Sequence, residues 1–112
     1  RHPNLALEMY QRAIEASPAY VPAYLGAGNC CFILGRPKDG IHYYQAAVDL
    51  APDHPMTWYN LGIGLVQMKR WVEADRVLTK GATLARGNPK MRAMFDQVLQ
   101  RVRNRMDVPG PS

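Results

Sequence analysis

One spacing recurs through this chain. Trp58, Leu61, Gly62, Leu65, Ala74, Leu78 and Gly81 stand 34 positions after Tyr24, Ala27, Gly28, Cys31, Gly40, Tyr44 and Ala47. A further step back, Ala6, Tyr10, Ala13 and Pro18 take the places of Gly40, Tyr44, Ala47 and Pro52. A period of this length means that one supersecondary unit is used more than once, and that neighbouring units stack to bury a shared core. The 112 residues leave room for one modest domain built that way.

Breakers set the internal rhythm. "SPAYVP" (17–22), "GRPKDG" (35–40), "APDHP" (51–55), "MKRW" (68–71) and "RGNP" (86–89) interrupt the chain, and the segments between them show helical spacing without sustained strand alternation. Leu5, Met9, Ala13 and Ala16 line one side of the first segment. In the last, Met91, Met94, Phe95, Val98, Leu99, Val102 and Met106 make a stripe through four turns. Pro3, Pro22, Pro37, Pro55 and Pro89 fall where a helix begins, because the N–H that proline lacks is unpaired there anyway. The pattern predicts six helices, at about 4–17, 20–34, 38–51, 55–68, 71–85 and 89–106, with "DVPGPS" as a frayed tail.

The period and its residues resemble the tetratricopeptide repeat family, whose 34-residue helix–turn–helix unit carries W-x2-L-G-x2-Y…A-x3-F…P. The resemblance covers residues 1 to about 106. It implies an all-α, right-handed helix–turn–helix solenoid: a half repeat (1–20), repeats 21–54 and 55–88, a capping helix (89–106) and a flexible tail (107–112). Gly62 with Ala74, and Gly28 with Gly40, are then small so that paired helices approach closely. Trp58, Tyr24, Tyr10 and Tyr44 fill the core, and Trp71 starts the fifth helix. Three places depart from the pattern. Arg86 replaces the proline seen at Pro18 and Pro52, so helix five is expected to end on a Gly87 cap, with Asn88 capping the next helix. Lys69 stands where Gly35 stood, so that turn is expected to differ. The first helix lacks its usual mate, which leaves part of its apolar surface bare.

Catalytic chemistry finds little support. "GAGNCC" and "GIG" lie inside helices without the preceding strand that a dinucleotide loop requires. Cys30 and Cys31 are adjacent, cannot close a useful disulfide loop, and have no CxxC or HExxH around them. Buried small hydrophobes is the favoured reading, with a thiol enzyme or redox sensor the weaker one. His2, His42 and His54 fall on different elements, and Asp49, Asp53, Glu73 and Asp75 form no paired carboxylate site. The sequence therefore reads as a non-enzyme, with no cofactor and no metal.

What remains is surface. In the resembled family, the stacked first helices of each repeat line a concave groove that receives an extended peptide or a helix of a partner protein. Carried over, the groove places are Leu25, Asn29, Phe32 and Ile33 on helix two, and Tyr59, Asn60, Ile63, Val66 and Gln67 on helix four. Lys90, Met94, Gln97 and Arg101 on the last helix complete them. Tyr20, Tyr43 and Tyr59 fall on other helical faces and are candidates for exposed contact. One subtype of the family grips C-terminal carboxylates with Lys, Asn, Asn, Lys and Arg; those places fall on Leu25, Asn29, Asn60, Lys90 and Met94, and two of its three cations are missing. The resemblance thus implies a protein-interaction scaffold, and self-assembly through the unmated first helix and the basic cap is the alternative.

Charge is concentrated at one end. The formal net charge is +5, and residues 86–106 carry it: Arg86, Lys90, Arg92, Arg101, Arg103 and Arg105 against Asp96. That basic helix reads as a solvated cap, as a face for an acidic protein through Arg101, Arg103 and Arg105, or as an anion surface. Aromatic interleaving is absent, which disfavours nucleic acid, and its apolar stripe is needed for packing, which disfavours membrane. No apolar run is long enough to span a bilayer. Two free thiols fit a reducing compartment, the cytoplasm. The chain opens on Arg1 and not Met, so it reads as an excised piece whose targeting signals are not at hand.

Overall fold

The computed structural model describes residues 2–107. They form α1 (Pro3–Ala16), α2 (Val21–Ile33), α3 (Pro37–Leu50), α4 (Pro55–Gln67), α5 (Trp71–Leu84) and α6 (Pro89–Asp107). Each bound falls within one residue of the sequence reading, and no strand occurs among the described residues. The expected tail lies outside the described residues, except that Asp107 ends α6. Proline stands at the first or second position of α1, α2, α3 and α4, and Pro89 opens α6, so the prolines mark the helix starts. Asn88 caps α6 as expected, its Oδ1 accepting the Met91 N–H at 3.1 Å.

The chain divides into two compact units, residues 1–52 and 53–112. In the first, α1 packs on α2 and α2 on α3. In the second, α4 packs on α5, α5 on α6, and α4 also meets α6. The first unit is built on Leu7, Ala27, Cys30 and Cys31, with Ala6, Ile14, Leu34 and Tyr43 partly buried against them. In the second, Leu61, Leu65, Ala74, Leu78, Phe95, Val98, Leu99 and Val102 are buried.

Small residues serve packing more directly than close helix approach alone. A Cβ on Gly28 would lie 2.5 Å from the Tyr44 ring and 3.2 Å from the Gly40 carbonyl oxygen. Gly40 is covered in turn by the Phe32 ring, Gly62 by Leu78 and Gly81 by Phe95. Each large side chain sits in the space that a neighbouring helix leaves at a glycine, which is dense core packing achieved with uneven residue sizes.

The turns after α2 and α4 are alike in backbone, contrary to the expectation for Lys69. Gly35 has φ +74° and Lys69 has φ +60°. Gly35 N–H donates to Phe32 O and Arg36 N–H to Cys31 O; Lys69 N–H donates to Val66 O and Arg70 N–H to Leu65 O. Both are Schellman closures, and the second forces a lysine into the left-handed region because the paired hydrogen bonds need that geometry. The ion pairs that follow repeat as well. Arg36 pairs with Asp39 at 2.9 Å, and Arg70 with Glu73 at 2.7 Å, each acid in the first turn of its helix where the helix dipole favours it. The Arg70 hydrogen bond holds the exposed Glu73 carboxyl below its usual range.

Two further expectations are corrected. Gly87 has no positive φ and does not cap α5; the helix ends at Leu84, and Asn88 N–H donates to Ala85 O across the turn. The covered face of α1 is not the Leu5–Met9 side. Leu7 is buried, whereas Leu5 is 60% and Met9 70% exposed. An apolar residue on nearly every side leaves the phase of that helix undetermined by periodicity, and α2 selects the Leu7 side.

Candidate interaction surfaces

On α2, Ile33 is 72% exposed, Asn29 is exposed and Leu25 half-buried. Phe32, expected to line the groove, is half-buried and also serves packing. Its ring stacks on Tyr44 with centroids 5.5 Å apart and covers Gly40. The Tyr44 hydroxyl donates to Asn29 Oδ1. Burial pushes the Tyr44 phenol up to about 12, so it keeps this donor proton at neutral pH.

On α4, Ile63 and Val66 are half-buried and Gln67 is exposed. Tyr59 is half-buried rather than exposed, with its ring edge-on to Phe95 at 5.2 Å. Asn60 Nδ2 donates to Met56 O at 2.9 Å within its own helix. On α6, Lys90, Gln97 and Arg101 are exposed, and Met94 is 37% exposed. The two clamp asparagines thus both bond within the fold, one to Tyr44 and one to its own helix, which weakens the carboxylate-clamp reading further.

Among the other aromatics, Tyr20 is exposed as expected. Tyr43 is not: it is half-buried against the core of the first unit and accepts a hydrogen bond from Gln11 at 3.2 Å. Tyr10 covers Gly26 but stays 36% exposed. Its place in the repeat is a core place, yet it lies on the outermost helix of its unit.

Within the second unit, Val66 and Arg101 come together with Arg105 of the expected basic face and with Trp71 and Val102, which the sequence assigned to no site. Val66, Trp71, Arg101, Val102 and Arg105 line a cleft of about 130 Å³. The Arg105 guanidinium lies 5.9 Å from the Trp71 ring centroid, in cation–π range. The legible signal was a tryptophan opening a helix opposite arginines one turn apart. Arg103, grouped with Arg101 and Arg105 from sequence, is instead tied to Asp75 at 3.2 Å and to Thr79. Arg92 is likewise paired with Asp96.

The cysteines fit no site. Cys31 is fully buried and Cys30 is 6% exposed, both free. Burial pushes the Cys31 thiol up, with Arg36 opposing more weakly, which disfavours the reactive thiolate. Among the described residues, no group of three or more His, Cys, Asp or Glu could hold a metal ion, and no helix is long and apolar enough to cross a membrane.

A family profile described as tetratricopeptide repeat matches residues 1–55 and 34–89. Among curated proteins, the Protein SGT1 homolog of Oryza sativa subsp. japonica is 24% identical over 99 residues, which is 88% of this chain and 27% of that protein. The chain thus spans about a quarter of that relative's length, and 10% or less of two others. Among solved structures, the Yersinia enterocolitica type III secretion translocator chaperone SycD matches with a TM-score of 0.86 at 17% identity, over 95% of this chain and 75% of that one. SycD in complex with a peptide of the translocator YopD gives 0.84 at 18% identity, over 94% and 82%. These likenesses share the all-α helix–turn–helix fold found here. With its profile match running across most of the sequence, this chain belongs to the tetratricopeptide repeat family.

Proposed function

We propose that the chain is a non-catalytic protein-interaction scaffold that receives an extended peptide or a helix of a partner protein. The observation that carries this reading is apolar surface on helices that the family uses for binding: Ile33 on α2 and Met94 on α6 are exposed, and Ile63 and Val66 on α4 are half-buried. The contact residues are Leu25, Asn29 and Ile33 in the first unit. In the second they are Asn60, Ile63, Val66, Gln67, Lys90, Met94, Gln97 and Arg101. Phe32 and Tyr59 contribute by positioning their neighbours. The SycD–YopD peptide complex supports the reading as a relative of the same fold holding a peptide.

Selection of a displayed peptide library on the whole chain tests it. Recovered peptides should lose at least tenfold in affinity with Ile63→Asp, while far-UV circular dichroism stays unchanged. Recovered peptides indifferent to both Ile63→Asp and Ile33→Asp would overturn it; if Arg103→Glu alone abolished binding, the basic cap would be the interface.

Self-assembly remains the second reading, favoured by the bare Leu5 and Met9 on α1.

A further inference from the structure

The cleft at the end of α4 has a composition that selects its ligand. Val66, Val102 and the Trp71 ring give it an apolar wall, and Arg101 and Arg105 give it a cationic rim. The two arginines stand four residues apart on α6, so they project from one face. Among the described residues, neither is in an ion pair, whereas Arg92 and Arg103 on the same helix are neutralised by Asp96 and Asp75. Among the described side chains, the unpaired arginines at this end of α6 are therefore the two at the cleft. Lys90 is eleven residues away along the helix, about 16 Å at 1.5 Å per residue. Such a field matches one or two carboxylates better than a polyanion.

Geometry adds to charge. The Arg105 guanidinium carbon lies over the Trp71 ring at 5.9 Å, and a guanidinium held beside an aromatic ring still has N–H groups to offer a carboxylate. The volume, about 130 Å³, is close to the roughly 150 Å³ that admits one benzene-sized group. We propose that this cleft is a subsite for an acidic–apolar peptide segment. A glutamate or aspartate side chain is held by Arg101 and Arg105, and an adjacent leucine-sized side chain rests on Val66 and Trp71, with the buried Val102 forming the floor behind them. The inference deepens the peptide-binding reading above and rests on it.

The test follows the Trp71 indole N–H by NMR while the whole chain is titrated with capped pentapeptides. Gly-Glu-Leu-Glu-Gly should shift that signal in a saturable way. Gly-Gln-Leu-Gln-Gly and Gly-Glu-Ala-Glu-Gly should each bind at least tenfold more weakly. Arg101→Gln and Arg105→Gln should weaken the acidic peptide by a similar factor, and Arg101→Lys should retain part of it. Equal binding of the glutamine peptide would overturn the acidic assignment, as would inorganic phosphate or a short oligonucleotide competing as well as the acidic peptide. No shift at millimolar peptide would overturn the subsite altogether. Library peptides that need Ile63 but ignore both arginines would leave the general reading standing and sink this one.

Discussion

Gly26, Gly28, Gly40, Gly62 and Gly81 all stand beneath a large side chain from a neighbouring helix: Tyr10, Tyr44, Phe32, Leu78 and Phe95 respectively. A methyl group at any of them has no room unless a packed neighbour moves. Gly81 is the most constrained, since an added Cβ would lie 2.3 Å from the Phe95 ring and 3.0 Å from Trp58 Cβ, and Phe95 is fully buried. Gly81→Ala is therefore expected to destabilise the fold by about 2 kcal/mol, within the range for overpacked cores. Gly87→Ala is the control, with nothing within 4 Å of the added carbon; its effect should stay within about 0.5 kcal/mol. Urea denaturation of both variants decides it, and equal midpoints would mean that the glycine sockets are not tightly filled. The sequence exposed the recurrence of these glycines but not their use. A small residue at a fixed period says that something approaches, and only the packed structure says that the approaching group is a ring or a leucine.

At the scale of the helix and its turn, the two Schellman closures form a matched pair with unequal residues. Gly35 adopts its left-handed backbone without a steric cost, whereas Lys69 carries a Cβ into the same region. Lys69→Gly should stabilise the chain by about 1 kcal/mol, and Gly35→Lys should destabilise it by a similar amount. For a domain of this size that is a shift of roughly 4–8 °C in Tm, upward in one case and downward in the other. Unchanged melting in both variants would show that side-chain packing, not backbone strain, governs these turns. Helix ends were the most legible part of the sequence, because proline at the start of a helix and Asn88 before Pro89 act through local hydrogen bonding alone. Lys69 and Gly87 were misread for the opposite reason. The turn conformation is fixed by carbonyls of the preceding helix that remain to be closed, and residue identity there follows only loosely. The site was less legible still. Phe32 and Tyr59 were assigned to a binding surface by position in the repeat, and the sequence did not reveal that their rings also pack on Gly40 and Phe95.

On the scale of the whole molecule, each unit carries its own unanswered surface. The second holds the Arg101–Arg105 cleft, and the first leaves Leu5 and Met9 in solvent. If the first surface mediates self-assembly, sedimentation at rising concentration should show a dimer, the commonest closed assembly. Leu5→Glu with Met9→Glu should return it to monomer without loss of helicity, because neither side chain is in the core. A monomer at high concentration in the unmodified chain would remove the self-assembly reading and leave the scaffold reading untouched.

The chain's two cysteines, Cys30 and Cys31, both lie in the first unit. Their sulfurs are sealed beneath α1 and α3 packing, and burial disfavours the thiolate of Cys31. An alkylating reagent can reach them only while that packing is open. The adjacent thiols are thus an inbuilt clock for one half of the molecule: their rate of alkylation counts how often the first unit breathes, and the second half, which has no cysteine to modify, stays silent.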